Sequence, residues 1–201
     1  MKKWPLLLPL ILMLAFALTR WPGLMPLNFS AAYGLCFCAG VFLPARFAWV
    51  LPLATLIVTD LILDLGYYHY NPINGYALFN YLSFIAIILL GRTFQKCKSW
   101  LALLGGGLLS AILFYLITNT GAWLQNPEYA KTVAGWLKAL TFGTDGYPHT
   151  WEFFRNTLLS GGLFAGLFSA AWKFSPSEKE AEEKEEEESD DRAPEPEESK
   201  A

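Results

Sequence analysis

The chain has 201 residues, of which 54% are hydrophobic and 16% aromatic, and its formal net charge is −3. Five of its 18 acidic residues precede Ser175, whereas 11 of its 15 Lys and Arg residues do. The body is therefore apolar and mildly basic, which favours an all-α polytopic membrane protein over a soluble domain. The net charge alone says nothing about partners.

The chain begins with a short basic leader, residues 1–3, followed by an apolar run over 4–18. Two interpretations fit this pattern. The run has the length of a slightly short transmembrane helix, and Ala15-Phe16-Ala17 also resembles the cleavage site of a signal peptide. We favour the retained helix; both interpretations place residues 20–27 on the external side of the membrane.

Five further apolar runs bring the prediction to about six transmembrane helices. They cover 29–43, a stretch beginning at Phe47, 76–90, 100–117 and 153–172. Small residues recur at four-residue spacing in the second, fifth and sixth runs, which predicts close helix packing. Residues 129–142 favour a short interfacial helix between the last two runs.

The last segment, residues 175–201, is rich in Glu and contains no aromatic residue. Such a composition does not bury enough apolar surface to fold. We therefore predict two parts: a transmembrane domain over 1–174 and a disordered acidic cytoplasmic tail over 175–201.

The distribution of basic residues predicts the topology. With the N-terminus inside, most Lys and Arg residues of the body fall in cytoplasmic segments, as the positive-inside rule requires. The sequence thus predicts a multi-pass protein of the cell (inner) membrane, in contact with the lipid bilayer, with both termini cytoplasmic. The residues that place these segments inside are Lys2, Lys3, Arg46, Arg92, Lys96, Lys98 and Lys173.

Two carboxylates, Asp60 and Asp64, follow the third apolar run and are separated by one helical turn. Acidic residues at membrane depth are costly, and they tend to face a protein interior or a wet cavity. The alternative is that both residues simply mark the end of the helix at the membrane boundary. We favour a polar pocket.

Polar and aromatic residues gather at the predicted outer end, whereas the inner end carries mainly basic residues. An aromatic-lined cavity with a few fixed charges is suited to a small polar ligand, although an ordinary aromatic belt would explain the Tyr and Trp residues. In the first interpretation Asp60 and Asp64 hold a cationic group, and Arg155 holds an anionic group or neutralises one of the acids. The predicted substrate-binding residues are Asp60, Asp64, Tyr68, His69, Asn80, Asn119, Trp123, Arg155 and Asn156.

Several function classes have no support in the sequence. It contains no zinc-protease, P-loop, nucleophile-elbow or dinucleotide-binding motif, so we predict neither an enzyme nor a bound cofactor. His69 and His149 with the two aspartates make only a weak metal pattern, and we predict no metal site. A nucleic-acid-binding basic patch is not present either.

Several ordered blocks resemble a family of small bacterial membrane proteins of unknown function described as transport proteins. The blocks are LNFSAAYGLCFCAGVFLP, PLATLIVTDLILDL, YLSFIAIILLGR, ITNTGAWL and FFRNTLLSGGLF, within residues 18–172. In outline that family is similar to the substrate-binding S components of energy-coupling factor (ECF) transporters. The resemblance implies an externally facing solute site, a transmembrane coupling subunit and an ATPase module. S components carry an Ala-x-x-x-Ala face on the first helix, where this chain has Ala15 and Thr19.

We therefore expect a membrane transport protein that binds a small solute, vitamin-like or cationic, at its extracytoplasmic face. Two alternatives remain open. One is a self-contained secondary carrier that uses the two aspartates as proton or cation sites. The other is a membrane assembly protein that has no ligand and docks another subunit through the small residues that recur at four-residue spacing.

Overall fold

The computed structural model describes residues 7–69, 71 and 75–174, and all regular structure within them is helical. The prediction of an all-α protein is confirmed for this part of the chain. The predicted acidic tail, the basic leader and loop residues 70 and 72–74 lie outside the described residues.

In the part of the chain that the structure describes, seven α-helices follow the order of the predicted runs, and the third continues directly into a π-helix, Ile62–Tyr68. The α-helices are α1 (Leu7–Thr19), α2 (Ala32–Phe42), α3 (Ala45–Leu61), α4 (Gly75–Thr93), α5 (Trp100–Gln125), α6 (Val133–Thr141) and α7 (Thr150–Phe174).

Local sequence accounts for several of these boundaries. Pro44 precedes α3, where its missing N–H costs nothing. The side chains of Ser99 and Thr132 cap α5 and α6 by accepting hydrogen bonds from the N–H groups of Ala102 and Gly135. These caps satisfy amide groups that have no partner inside the helix.

The centre of the bundle is α2, which packs against α3, α4, α5 and α7. Ten of its 11 residues are buried. A Cβ added at Gly40 would lie 2.4 Å from the carbonyl oxygen of Ile88 in α4, and one at Gly34 would lie 2.5 Å from the Ala165 nitrogen in α7. Glycine thus lets three backbones approach closely, as the small-residue spacing predicts.

The small residues that recur at four-residue spacing along α7 form two rows, which we call ladders, and both pack against other helices of the bundle. Gly161 and Ala165 lie against α5, and Ser169 lies 3.8 Å from the sulfur of Cys38 in α2. The second ladder, at Gly162 and Gly166, faces Leu104, Leu108 and Trp100 of α5. These faces hold the protein's own helices together, so they are not free for a second subunit.

Among the described residues, three helical stretches are long and apolar enough to cross a membrane: Ala45–Tyr68, Gly75–Thr93 and Trp100–Gln125. Large apolar side chains cover the outside of the bundle, including Leu101, which is 72% exposed, and Leu159, which is 59% exposed. An apolar exterior on this scale is typical of a protein surrounded by lipid.

Two predicted spans differ in length from the helices observed. The second was predicted over 29–43, but α2 has 11 residues and is about 16 Å long, about half the hydrocarbon thickness of a bilayer. Its N-terminal end is preceded by Asn28, whose φ of 59° interrupts helical structure. The fifth was predicted to end at 117, but α5 continues to Gln125 and therefore includes Asn119 and Trp123.

Candidate functional site

A cavity of about 350 Å³ opens at the end of the bundle where α3 finishes and α4 begins. A neighbouring space of about 360 Å³ shares Arg20, Asn28, Asp60, Asp64, Asn80 and Phe114 with it, so the two form one continuous region. Cavities of this size accept small organic molecules.

Four parts of the fold build the walls. The loop between α1 and α2 supplies one side, and the end of α3 with the π-helix supplies the side that carries the carboxylates. The start of α4 contributes Asn80, and α5 contributes Phe114 and Thr118. Polar groups from distant parts of the chain therefore meet at an aromatic surface.

The charged centre of the cavity is an ion pair between Arg20 and Asp60. A guanidinium N–H of Arg20 donates to a carboxylate oxygen of Asp60, and the two side chains are 17% and 15% exposed. The Tyr81 hydroxyl also hydrogen-bonds to Asp60. Arg20 further lies 5.7 Å from the centre of the Phe16 ring, a cation–π distance. The partner of Asp60 is thus Arg20 rather than Arg155.

Asp64 lies in the π-helix that extends α3. The i→i+5 hydrogen bonding of a π-helix widens the turn, a deviation that occurs often at functional sites. Asp60, Asp64 and Tyr68 all line the cavity. The π-helix ends at His69, whose φ of 56° is left-handed and whose N–H donates to the main-chain carbonyl of Asp64.

The loop between α1 and α2, residues 20–31, lines the cavity and is held in place by side-chain to main-chain hydrogen bonds. We call it the covering loop. Thr19 accepts a bond from the N–H of Ala31 at 3.0 Å, which closes the base of the loop. Asn156 of α7 donates to the carbonyl of Leu27 at 2.9 Å. The Tyr33 hydroxyl donates to the carbonyl of Asn28 at 3.2 Å.

Of the nine predicted binding residues, the structure brings Asp60, Asp64, Tyr68 and Asn80 together in the lining of the cavity. The other five have different surroundings. His69 ends the π-helix, and Asn156 holds the covering loop. Asn119 donates to the Tyr115 carbonyl within α5, Trp123 donates to the Ala130 carbonyl, and the Arg155 guanidinium lies 5.9 Å from the ring of Trp151.

Sequence reasoning did not select Arg20 as a binding residue, nor the aromatic residues Tyr33, Phe84 and Phe114 that line the cavity. Arg20 is the sole cation between Lys3 and Arg46, which was a usable signal. The aromatic residues lie inside apolar runs and resemble ordinary core residues by sequence. Within residues 7–69, 71 and 75–174, no group of three His, Cys, Asp or Glu side chains is arranged to hold a metal ion.

A family of unknown function, DUF6580, matches residues 1–183 of this sequence. The chain belongs to the DUF6580 family. No significant match was found among curated proteins or among solved structures. DUF6580 membership agrees with the expectation of a family of unknown function.

Proposed function

We propose that this protein is a membrane transport protein that binds a small solute, vitamin-like or cationic, in the cavity beside Arg20, Asp60 and Asp64. The observation that carries the proposal is the cavity itself, about 350 Å³ in size and lined by fixed charges and aromatic rings. An ordinary aromatic belt does not require a largely buried ion pair inside an open cavity. Such a combination is typical of small-molecule sites.

The proposed topology has about six membrane helices, α1 to α5 and α7, in the cell (inner) membrane with both termini cytoplasmic. It is supported by the position of the cavity relative to the basic loop. Asn80 lies near the start of α4 and Arg92 near its end, about 18 Å apart along the helix. The cavity and the basic loop are thus at opposite ends of α4, and the positive-inside rule supports the proposal that the cavity faces outward.

The sequence contains no nucleotide-binding motif, so the energy for transport would come from elsewhere. We propose an arrangement like that of ECF transporters, in which an S component captures the solute and a coupling subunit with an ATPase module supplies the energy. The lipid-exposed faces of the helices, rather than the internally packed ladders of α7, are the surfaces available for such a partner.

The direct test is to identify small molecules released from the gently purified protein by mass spectrometry. Asn80→Phe fills part of the cavity, and Leu82→Phe adds the same ring on the outer surface of the same helix, where Leu82 is 45% exposed. We expect one compound class in the wild type and in Leu82→Phe that is lost in Asn80→Phe. Equal amounts in all three, or no compound in any across several detergents, would contradict the proposal and favour the assembly-protein alternative.

A further inference from the structure

The three charged side chains that line the cavity are not equivalent. Arg20 and Asp60 neutralise each other directly, and Asp60 also hydrogen-bonds to Tyr81. Asp64 forms no ion pair and no side-chain hydrogen bond with any residue in the described part of the chain, and only longer-range electrostatics connect it to Arg20, which attracts it, and to Asp60, which repels it. Among the described residues, one negative charge in the cavity thus has no direct partner, and its hydrogen-bonding capacity is available to a bound molecule.

The apolar walls of the cavity are largely aromatic. Tyr33, Phe84 and Phe114 form a connected cluster, with ring centres 4.6 to 6.3 Å apart. Tyr68 and Trp21 line the same cavity and are 44% and 48% exposed. The faces of aromatic rings carry partial negative charge, so they attract cations and do not favour anions.

On the basis of the proposed function, we infer that the solute is an organic cation with an aromatic or apolar body, and that Asp64 is the residue that selects its charge. An ammonium group would donate hydrogen bonds to Asp64, while the body lies against the rings of Tyr33, Phe84 and Phe114. Asp60 is a positioning residue that holds Arg20. These separate roles for Asp60 and Asp64 replace the expectation that both aspartates bind the cation. In this arrangement Arg155 takes no part in binding.

Three probes of nearly equal shape test the inference: tryptamine, which is cationic at neutral pH, the neutral alcohol tryptophol, and the anion indole-3-acetate. Their dissociation constants are measured by isothermal titration calorimetry with the full-length protein in lipid nanodiscs. We expect tryptamine to bind at least about tenfold more tightly than tryptophol, because a hydrogen bond to a charged group stabilises more than a neutral one. We expect indole-3-acetate to bind most weakly of the three.

The matched variants are Asp64→Asn and Asp145→Asn. Both remove one carboxylate charge with little change in shape, but Asp145 is fully exposed and lies outside the cavity. We expect Asp64→Asn to bind tryptamine about tenfold more weakly and to lose the preference for it over tryptophol, while Asp145→Asn behaves like the wild type. If Asp64→Asn does not fold, the order of the dissociation constants of the three probes for the wild type still tests whether the site selects a cation.

Equal binding of the three probes, or tightest binding of indole-3-acetate, would overturn the inference and leave the proposed function intact. Absence of binding by all three probes would also overturn it. The co-purification experiment with Asn80→Phe does not depend on the charge of the solute, so its outcome separately decides whether the cavity binds a small molecule.

Discussion

Arg20 and Asp60 join the end of α1 to the end of α3, and their side chains are only 17% and 15% exposed. Breaking a shielded ion pair by removing one partner leaves an uncompensated charge, which destabilises more than the loss of the contact alone. A second ion pair, between Lys138 and Asp145, is solvent-exposed, with 3.6 Å between its charged atoms. Exposed pairs contribute little because water screens them.

Arg20→Gln should therefore destabilise the folded protein by about 2 kcal/mol, since the variant leaves Asp60 without its cation. The corresponding change at the exposed pair, Lys138→Gln, should leave stability unchanged. Both variants are compared with the wild type by denaturant unfolding in a mild detergent. Equal stability of all three proteins would show that the ion pair does not hold α1 to α3.

At the scale of elements, α2 and α4 touch through glycine. A Cβ at Gly40 would meet the main-chain oxygen of Ile88 and the Cα of Gly91, at 2.4 and 3.0 Å. Main-chain atoms cannot turn aside as a flexible side chain can, so the two helices would have to separate. Gly105 of α5, by contrast, faces open space.

Gly40→Ala should lower stability by about 1 to 3 kcal/mol because it overpacks the contact between α2 and α4. Gly105→Ala should not lower it, since alanine is the better helix former and meets no neighbour. The same unfolding measurement compares the two variants. A Gly40→Ala variant as stable as Gly105→Ala would mean that the helices are not in close contact.

The covering loop is a separate element, and Asn156 fastens it to α7 through the carbonyl of Leu27. Asn156→Ala should raise hydrogen exchange in residues 21–30 about three- to tenfold, the effect of losing one typical hydrogen bond, without changing exchange in α2. Asn119→Ala is the control, because the Asn119 amide bonds within its own helix. Hydrogen–deuterium exchange with mass spectrometry measures both, and unchanged exchange over 21–30 would contradict the role given to Asn156.

The elements were predictable because apolar runs and small-residue spacing are local properties of the sequence. The position of Asp64 and Asn80 in a polar cavity was also predictable, because a polar residue inside an apolar run is costly unless it faces such a cavity. The pairing of Arg20 with Asp60 was not, because it joins residues 40 positions apart and depends on how α1 packs against α3. For the same reason, Asn119, Trp123 and Arg155 were selected by residue type although their side chains make other contacts.

At the scale of the whole molecule, the fold separates two kinds of surface. The outside of the bundle is largely apolar, and the polar cavity opens at one end, away from the basic loop between α4 and α5. This separation is what a protein needs if it sits in a bilayer and exchanges a solute with only one side. Because the two ends differ, labelling can also test which side of the membrane the cavity faces.

The three cysteines suit such a measurement. Cys36 and Cys38 are buried, whereas Cys97 is partly exposed in the basic loop at the opposite end from the cavity. Cys97 therefore reports on the predicted cytoplasmic side. In a Cys97→Ser background, an Asn80→Cys substitution places a thiol in the cavity lining.

An outward-facing solute site is tested most directly by the reaction of these thiols with a membrane-impermeant sulfonated thiol reagent added outside intact cells. We expect Asn80→Cys to react before permeabilisation, because the proposed topology turns the open cavity outward, and Cys97 in the wild type to react only after it. Reaction of Cys97 from the outside, or of Asn80→Cys only in permeabilised cells, would contradict an extracytoplasmic solute site.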